Sequence, residues 1–174
     1  TVKDEIIGIY PYIKNIAVEP LPLVQGHTSV ISISTYENAV VSGSLTGYPL
    51  AFYQTGDHDQ VSLQGIHAMQ QTGLYPITVS VKLEDGSQFF YEQQVYVASG
   101  DFPKDPPLIV DPITLDPAVT QPEEDQVLAI ISNVTPTRLW SGIFTLPVAE
   151  PYCIKSWYGD RRSYNGSEYT YFHS

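Results

Sequence analysis

The sequence predicts an all-β protein built around a β-sandwich, and three observations lead to this fold class. Hydrophobic residues make up 43% of the 174 residues, which is enough apolar material for a packed core. Valine, isoleucine, threonine and tyrosine recur in short runs, and many of the 12 glycines and 14 prolines separate those runs. One run also alternates between apolar and polar residues, as a strand with one buried face does. The length accommodates one ordinary domain and a second that is small or incomplete.

Seven successive runs between residues 13 and 98 have the composition of β-strands, and seven strands are enough to form a β-sandwich. They are Ile13–Val18, Thr28–Ser34, Ala39–Ser44, Leu50–Gln54, Val61–Ala68, Leu74–Leu83 and Phe89–Val97. Apolar residues alternate with polar ones from Ile77 to Leu83, and Asp85-Gly86 follows. Asp-Gly between alternating strands indicates a hairpin, because glycine tolerates the positive φ of a tight turn. We therefore predict a closing hairpin that turns at Asp85-Gly86.

A tyrosine next to this hairpin narrows the fold class. The sequence Gly73-Leu74-Tyr75 stands at the start of the sixth run. It is similar to the corner of immunoglobulin-like sandwiches, in which a tyrosine hydroxyl bonds back to nearby backbone. The alternative is an ordinary tyrosine at the edge of the core. The corner-like tyrosine, the strand count and the turn together predict an immunoglobulin-like β-sandwich over residues 13–98.

Prolines mark residues 99–137 as a semi-rigid linker, since proline breaks long elements and cannot donate to a sheet. Two apolar stretches in this linker, Leu108–Val110 and Ile113–Leu115, are expected to pack along the preceding domain. The sequence Thr120-Gln121-Pro122-Glu123 fits a capping box, and apolar residues follow it. It predicts one short helix over residues 122–132 with Thr120 as N-cap. Strand-like sequence resumes at Arg138.

Charge and cysteine content exclude several classes of function. The formal net charge of −11 argues against nucleic acid as a partner, because phosphate binding requires a basic face. The acidic residues are spread over loops, so we interpret them as residues that keep the surface of a secreted protein soluble. Cys153 is the only cysteine, which leaves no intrachain disulfide and no cysteine-rich zinc site.

Three histidines of the predicted sandwich, His27, His58 and His67, are candidate site residues. The loop sequence Asp57-His58-Asp59 offers three side chains that can bind a metal ion, but adjacent loop residues rarely converge on one ion. A solvated turn, in which aspartate bonds local backbone, is the stronger interpretation. His27 and His67 have no carboxylate residues near them in sequence and are expected to be surface or core histidines.

The segment from residue 138 to residue 174 contains an ordered set of motif residues. They are Gly142, Pro147, Gly159, Arg161 and His173. Their order is similar to the beginning of the catalytic domain of lysostaphin-type zinc metallopeptidases, the peptidoglycan endopeptidases of bacterial cell walls. In that family a Gly-Phe-x-x-Pro opening and an aromatic-Gly-x-Arg segment precede a His-x-Gly-x-Asp motif. The resemblance implies that residues 138–174 are the incomplete, β-rich start of such a domain.

The same resemblance implies that His173 is the first zinc ligand. The aspartate of the motif would fall three residues beyond Ser174, and the later His-x-His of the family is absent from this sequence. A catalytic zinc ion typically has three protein ligands and one open position for water. We therefore expect zinc in the full-length protein and none in this chain, which is predicted to contain no catalytic residues and to be inactive alone.

The leading functional hypothesis is a non-catalytic accessory part of an exported zinc metallopeptidase that hydrolyses peptide bonds in bacterial peptidoglycan. It implies an extracytoplasmic location and cell-wall peptides as partners of the full-length enzyme. Unpaired strand edges in residues 138–174 add the expectation of a dimer mediated by this tail. One alternative is a stand-alone immunoglobulin-like binding or adhesion module for carbohydrate or protein. Another is a spacer that holds an enzyme away from the membrane.

Overall fold

The computed structural model describes residues 10–173. The chain divides between Asp101 and Phe102 into two compact units. The first unit is a β-sandwich, and the second contains one α-helix and a small C-terminal hairpin. Within residues 10–173, no helix is both long and apolar enough to cross a membrane.

The first unit consists of two packed β-sheets. Its strands are β1 (Ile13–Glu19), β2 (Leu23–Val24), β3 (Thr28–Thr35), β4 (Ala39–Leu45), β5 (Tyr48–Pro49), β6 (Tyr53–Gln54), β7 (Asp59–Gly65), β8 (Gly73–Leu83) and β9 (Gln88–Ala98). One sheet has the order β1-β3-β7-β6, and the other has the order β2-β9-β8-β4-β5. Neighbouring strands are antiparallel except β2 and β9, which are parallel. The predicted all-β sandwich is confirmed.

The hydrophobic core lies between the two sheets. It is built from residues at alternating positions of each strand, because successive side chains in a strand point to opposite faces. The sheet that contains β3 contributes Ile13, Ile16, Val18, Ile31 and Ile33, and the sheet that contains β8 contributes Leu23, Val41, Leu45, Ile77, Val79, Val81, Leu83, Tyr91, Val95 and Val97. The alternation predicted for Ile77 to Leu83 is therefore confirmed.

The closing hairpin joins β8 to β9 at the predicted dipeptide. The backbone N–H of Gly86 donates to the carbonyl of Leu83 at 3.1 Å, and the N–H of Leu83 donates to the carbonyl of Ser87 at 2.9 Å. Gly86 has a φ of 88°, a left-handed conformation that glycine adopts without steric cost. These bonds define a three-residue loop in which a type I turn is followed by a left-handed glycine.

Two strands of the sandwich were not predicted. Strands β2 and β5 each contain two residues, which is too short for an alternating pattern to appear in the sequence. The predicted run Leu50–Gln54 also forms a strand only at Tyr53–Gln54, although Leu50 is buried in the core.

The second unit begins with a short 3₁₀ helix, Pro112–Leu115, and the helix α1, Pro117–Ile131. The predicted helix is present, but the prediction that Thr120 is its N-cap is wrong. The side chain of Asp116 accepts a hydrogen bond from the N–H of Ala118 at 2.9 Å, and Pro117 occupies the first helical position. The N–H of Thr120 bonds to the carbonyl of Asp116, so Thr120 lies inside the helix.

Residues 138–160 contain no strand, which contradicts the prediction that strand-like chain resumes at Arg138. The hairpin that follows pairs β10 (Arg161–Arg162) with β11 (Tyr171–Phe172). The chain near Asp105 and Leu108, predicted as linker, pairs with this hairpin in the same unit. The N–H of Asp105 donates to the carbonyl of Arg161, and that of Leu108 donates to Ser163, each at 2.9 Å.

Candidate functional site

His173 lies directly after β11 and is held by its backbone. Its N–H donates to the carbonyl of Asp160 at 2.9 Å, and its carbonyl accepts from the N–H of Gly159 at 2.8 Å. In the adjacent pair of the ladder, Arg161 is opposite Phe172. The fold thus brings together three of the five motif residues, Gly159, Arg161 and His173. Gly142 and Pro147 lie in the exposed, irregular chain before the hairpin.

Gly159 and Arg161 both contact the aromatic ring of Phe102. Gly159 has a φ of 93°, and a Cβ atom at this position would lie 2.2 Å from the ring. The guanidinium carbon of Arg161 is 5.1 Å from the centroid of the same ring, within the range of a cation–π interaction. Only glycine fits this position, both because of its backbone conformation and because of the space that the ring occupies. The aromatic-Gly-x-Arg segment therefore has a structural role, because its glycine and its arginine both pack against the ring of Phe102.

Asp160 is the most buried carboxylate in the second unit, with 5% of its surface exposed. Its Oδ2 accepts hydrogen bonds from the N–H of Trp157 at 2.7 Å and from the Ser156 hydroxyl at 3.2 Å. The Ser156 hydroxyl is also 3.0 Å from Oδ2 of Asp105, and its single proton can serve one carboxylate at a time. These contacts close the turn before β10 and connect it to the chain at Asp105.

Arg162 provides the positive charge beside this pair of carboxylates. Its Nε lies 3.6 Å from Oδ2 of Asp105, which makes an ion pair without a hydrogen bond. The Tyr169 hydroxyl donates to the carbonyl of Asp105 at 3.0 Å. Asp105 is thus the point where three parts of the second unit meet. Sequence reasoning missed it because a lone aspartate in a proline-rich stretch carries no signal of partners more than fifty residues away.

Among residues 10–173, no three His, Cys, Asp or Glu side chains form a group that could hold a metal ion. His173 supplies a single imidazole, so the described residues alone do not fit a zinc ion with three protein ligands. At Asp57-His58-Asp59, the Asp59 carboxylate accepts from the Ser34 hydroxyl at 2.5 Å, and the His58 carbonyl accepts from the N–H of Thr35.

The second unit has an apolar surface and no apolar interior. In its described residues, 102–173, no hydrophobic side chain is buried, and the buried polar residues are Asp160 and Ser163. Many large apolar side chains are exposed instead, among them Ile109, Leu139, Ile143, Phe144 and Trp157. A folded unit that buries no apolar side chain gains little hydrophobic stabilisation of its own.

No protein-family model matches the chain, and no curated protein matches it. The resemblance to lysostaphin-type peptidases therefore rests on the motif residues between 138 and 174.

Proposed function

We propose that this chain is the non-catalytic accessory part of an exported zinc metallopeptidase of the lysostaphin type, which hydrolyses peptide bonds in bacterial peptidoglycan. In this proposal residues 13–98 form an accessory domain and the second unit contains the beginning of the catalytic domain. His173 is the first ligand of the zinc ion, and the remaining ligands are supplied by residues outside this sequence.

The observation that carries the proposal is the convergence of Gly159, Arg161 and His173 on one hairpin. These residues are separated by as many as 14 positions in sequence, yet consecutive backbone hydrogen bonds place them side by side. Gly159 and Arg161 also contact Phe102, and Arg161 begins the strand that pairs with Tyr171–Phe172, directly before His173. A hairpin built in this way presents a histidine at a defined position, as the first ligand of a metal site requires.

The exposed apolar side chains of the second unit give independent support. A two-stranded hairpin is marginally stable in water, and this hairpin has strands of only two residues each. The start of a larger domain exposes such side chains until the rest of its sheet packs on them. Phe144 and Trp157 are more than half exposed, and Trp140 and Phe172 are partly exposed. A dimer mediated by residues 138–174 is the second way in which we propose that these apolar side chains are covered.

We also infer that the accessory domain is immunoglobulin-like. The sheet β1-β3-β7-β6 matches the arrangement of the first, second, fifth and fourth strands of that fold, and β9-β8-β4 matches the seventh, sixth and third. The hydroxyl of Tyr75 donates to the carbonyl of Gln71 at 2.9 Å, in the position of the tyrosine corner. An extracytoplasmic location follows from the proposed substrate, because peptidoglycan lies outside the cytoplasmic membrane.

The test compares this chain with one extended through the missing aspartate and the His-x-His motif. We expect the extended chain to bind zinc and to release peptides from purified cell-wall sacculi, and this chain to do neither. In the extended chain, His173→Ala should abolish both, whereas His27→Ala, which changes an exposed histidine of the sandwich, should change neither. An extended chain that neither binds zinc nor cleaves sacculi would overturn the proposal.

An immunoglobulin-like binding module is the second candidate function, and one surface favours it. The outer face of the five-stranded sheet exposes Phe90 at 71%, and Leu74 and Tyr96, which are opposite each other in the ladder, at 66% and 50%. Exposed aromatic side chains are typical of binding surfaces. Retention of the chain on sacculi without cleavage, and loss of retention in Phe90→Ser, would favour this function.

A further inference from the structure

Strand β9 has one edge that is largely unpaired. On one side, its residues from Gln88 to Val97 are each opposite a residue of β8, without a register shift. On the other side, only Val97 and Ala98 pair, and their partner is the short strand β2. From residue 88 to residue 96, this second edge therefore has no neighbouring strand within residues 10–173.

The backbone groups on this edge belong to alternate residues, because successive residues of an antiparallel strand bond to opposite sides. The carbonyl of Ala98 accepts from the N–H of Gln25 at 3.1 Å, on the side away from β8. The alternate residues Phe90, Glu92 and Gln94 therefore direct their N–H and C=O groups to this side as well. In the part of the chain that the structure describes, no hydrogen bond uses these groups. They are donors and acceptors in the spacing that an added strand requires.

The outer strands of the two sheets have features that oppose pairing with another chain. Strands β2, β5 and β6 have two residues each. Strand β1 has a register shift between Ile13 and Asn15, with Lys14 between them. The edge of β9 lacks these features, because its ladder with β8 is regular, the strand contains no lysine or proline, and Glu92 is its one charged residue. A long and nearly uncharged edge of this kind favours pairing with a strand of another chain.

We propose that this edge pairs with the same edge of a second copy of the chain, as antiparallel strands related by a twofold axis. A second copy supplies an edge of the same length with the same free donors and acceptors. Pairing uses up the free edge of both copies, so the assembly closes as a dimer and does not grow into a longer sheet. This dimer is separate from the one proposed for residues 138–174 and does not depend on the peptidase function.

Two conditions set the register of the paired strands. Strand β2 occupies the last two residues of this edge, so the second strand must end before them. Like charges directly opposite each other destabilise a sheet, so Glu92 is not expected to face its own copy. Pairing centred on Tyr91 meets both conditions and overlaps residues 88–94 of the two copies. It places Phe90 opposite Glu92 and Gln88 opposite Gln94, all four of which are exposed on the outer face of the sheet.

The first experiment measures self-association of the full chain by sedimentation equilibrium, and amide hydrogen exchange by NMR at low and high protein concentration. We expect a monomer–dimer equilibrium, with slower exchange at Phe90, Glu92 and Gln94 in the dimer only. The amides of Tyr91 and Gln93 should be protected in both states, because they bond to β8. This alternation along the strand distinguishes pairing at the edge from a dimer that uses any other surface.

A double variant tests the register. Gln88→Lys combined with Gln94→Glu keeps the net charge and places opposite charges in two equivalent pairs across the twofold axis. We expect the Kd of the dimer to fall about fivefold, as two cross-strand pairs of opposite charge allow. The matched control is Gln88→Lys combined with Ser42→Glu, because Ser42 is exposed on β4, away from this edge. The control also keeps the net charge, and its Kd should stay close to that of the unchanged protein.

Several results would overturn the proposal. A chain that is still monomeric at about 1 mM associates too weakly for a specific dimer. A dimer in which Phe90, Glu92 and Gln94 exchange as they do in the monomer would assign the contact to another surface, such as residues 138–174. Protection of the same three amides in the monomer would mean that the chain covers its own edge. An equal Kd for the two double variants would contradict the pairing of Gln88 with Gln94.

Discussion

The hydroxyl of Tyr75 in β8 donates a hydrogen bond to the carbonyl of Gln71, four residues earlier, at 2.9 Å. This bond fastens the loop between β7 and β8 to the first residues of β8, and the ring of Tyr75 packs against the core. The loop is tied at a second point, because Nε2 of the buried Gln25 donates to the carbonyl of Gln70. The two bonds hold the carbonyls of adjacent residues, Gln70 and Gln71.

Replacing Tyr75 with phenylalanine removes the hydroxyl and leaves the ring. We expect Tyr75→Phe to lower the free energy of unfolding of the sandwich by about 1 kcal/mol, the net contribution of a typical hydrogen bond. Urea denaturation measures the change. Tyr96→Phe serves as the control, because this tyrosine is exposed on the outer face of the sheet. Equal stabilities for Tyr75→Phe and the unchanged protein would show that the bond adds nothing.

Ser62 on β7 has its hydroxyl in the core, and Oγ has no hydrogen-bond partner among the described residues. A buried hydroxyl without a partner loses its hydration and gains nothing in return. We therefore expect Ser62→Ala to leave the free energy of unfolding unchanged or to raise it by up to about 1 kcal/mol. The change removes one atom and creates no clash.

The matched control is Thr35→Val, which also removes a buried hydroxyl from the same sheet. The Thr35 hydroxyl donates to the carbonyl of Glu37 at 2.7 Å, so its loss should cost about 1 kcal/mol. Differential scanning calorimetry on both variants measures the contrast. A loss of stability in Ser62→Ala as large as that in Thr35→Val would mean that Ser62 does have a partner.

Gly159→Ala is expected to disrupt the C-terminal hairpin. The new Cβ would lie 2.2 Å from the Phe102 ring, and alanine is strained at a φ of 93°. The amide of His173, which bonds to Asp160, should lose its protection from hydrogen exchange. Gly166→Ala separates the two causes, since Gly166 has a φ of 79° but no atom within 4 Å of an added Cβ. Equal exchange in both variants would assign the effect to backbone strain alone.

The helix α1 provides a test of the corrected cap. Asp116→Ala removes the acceptor for the N–H of Ala118 and should cost about 1 kcal/mol of helix stability, whereas Thr120→Ala, inside the helix, should not. The difference is measurable as faster hydrogen exchange or altered backbone chemical shifts at residues 118–121. A larger effect of Thr120→Ala than of Asp116→Ala would show that Thr120 is the N-cap of this helix.

The sequence predicted those features that depend on neighbouring residues. The alternation from Ile77 to Leu83, the turn at Gly86 and the bond of Tyr75 are each encoded within a few positions, and the structure contains all three. The prediction of the helix N-cap failed because two helix-start signals lie close together in the sequence. Asp116-Pro117 and Thr120 with Glu123 both fit a helix start, and the earlier one prevails because a proline at the first helical position needs no N–H acceptor.

Features that depend on distant residues could not be predicted. The contacts of Asp105 with Ser156 and Arg162 join chain segments about fifty residues apart, and no periodicity connects them. The hollow lined by Thr35, Val40, Gln54, Gln60 and Leu83 likewise combines residues of five strands, β3, β4, β6, β7 and β8. The motif residues Gly159 and Arg161 were recognised by a resemblance, but their contact with Phe102 became visible only in the fold.

Burial raises the pKa of the Tyr91 hydroxyl from its ordinary value of 10.0 to about 12, and the neighbouring Tyr10 adds to the shift. The two rings are in edge contact, with centroids 5.3 Å apart, and the Tyr91 hydroxyl donates to Oε1 of Gln93. Since the folded chain keeps this proton at pH values where the unfolded chain has lost it, raising the pH favours unfolding. The contribution of neutral Tyr91 is fully present below pH 10 and is lost as the pH rises toward about 12.

Tyr91→Phe removes the titrating group and should make stability less dependent on pH in this window. We expect the urea midpoint of the unchanged protein to fall more steeply than that of Tyr91→Phe between about pH 10 and 12, while the two run parallel between about pH 7 and 9. The slopes are compared rather than the midpoints, because the variant also loses the bond to Gln93 at every pH. Tyr48→Phe, which changes an exposed tyrosine, should follow the unchanged protein throughout. Parallel curves for Tyr91→Phe and the unchanged protein above pH 10 would show that Tyr91 titrates alike in the folded and unfolded chains.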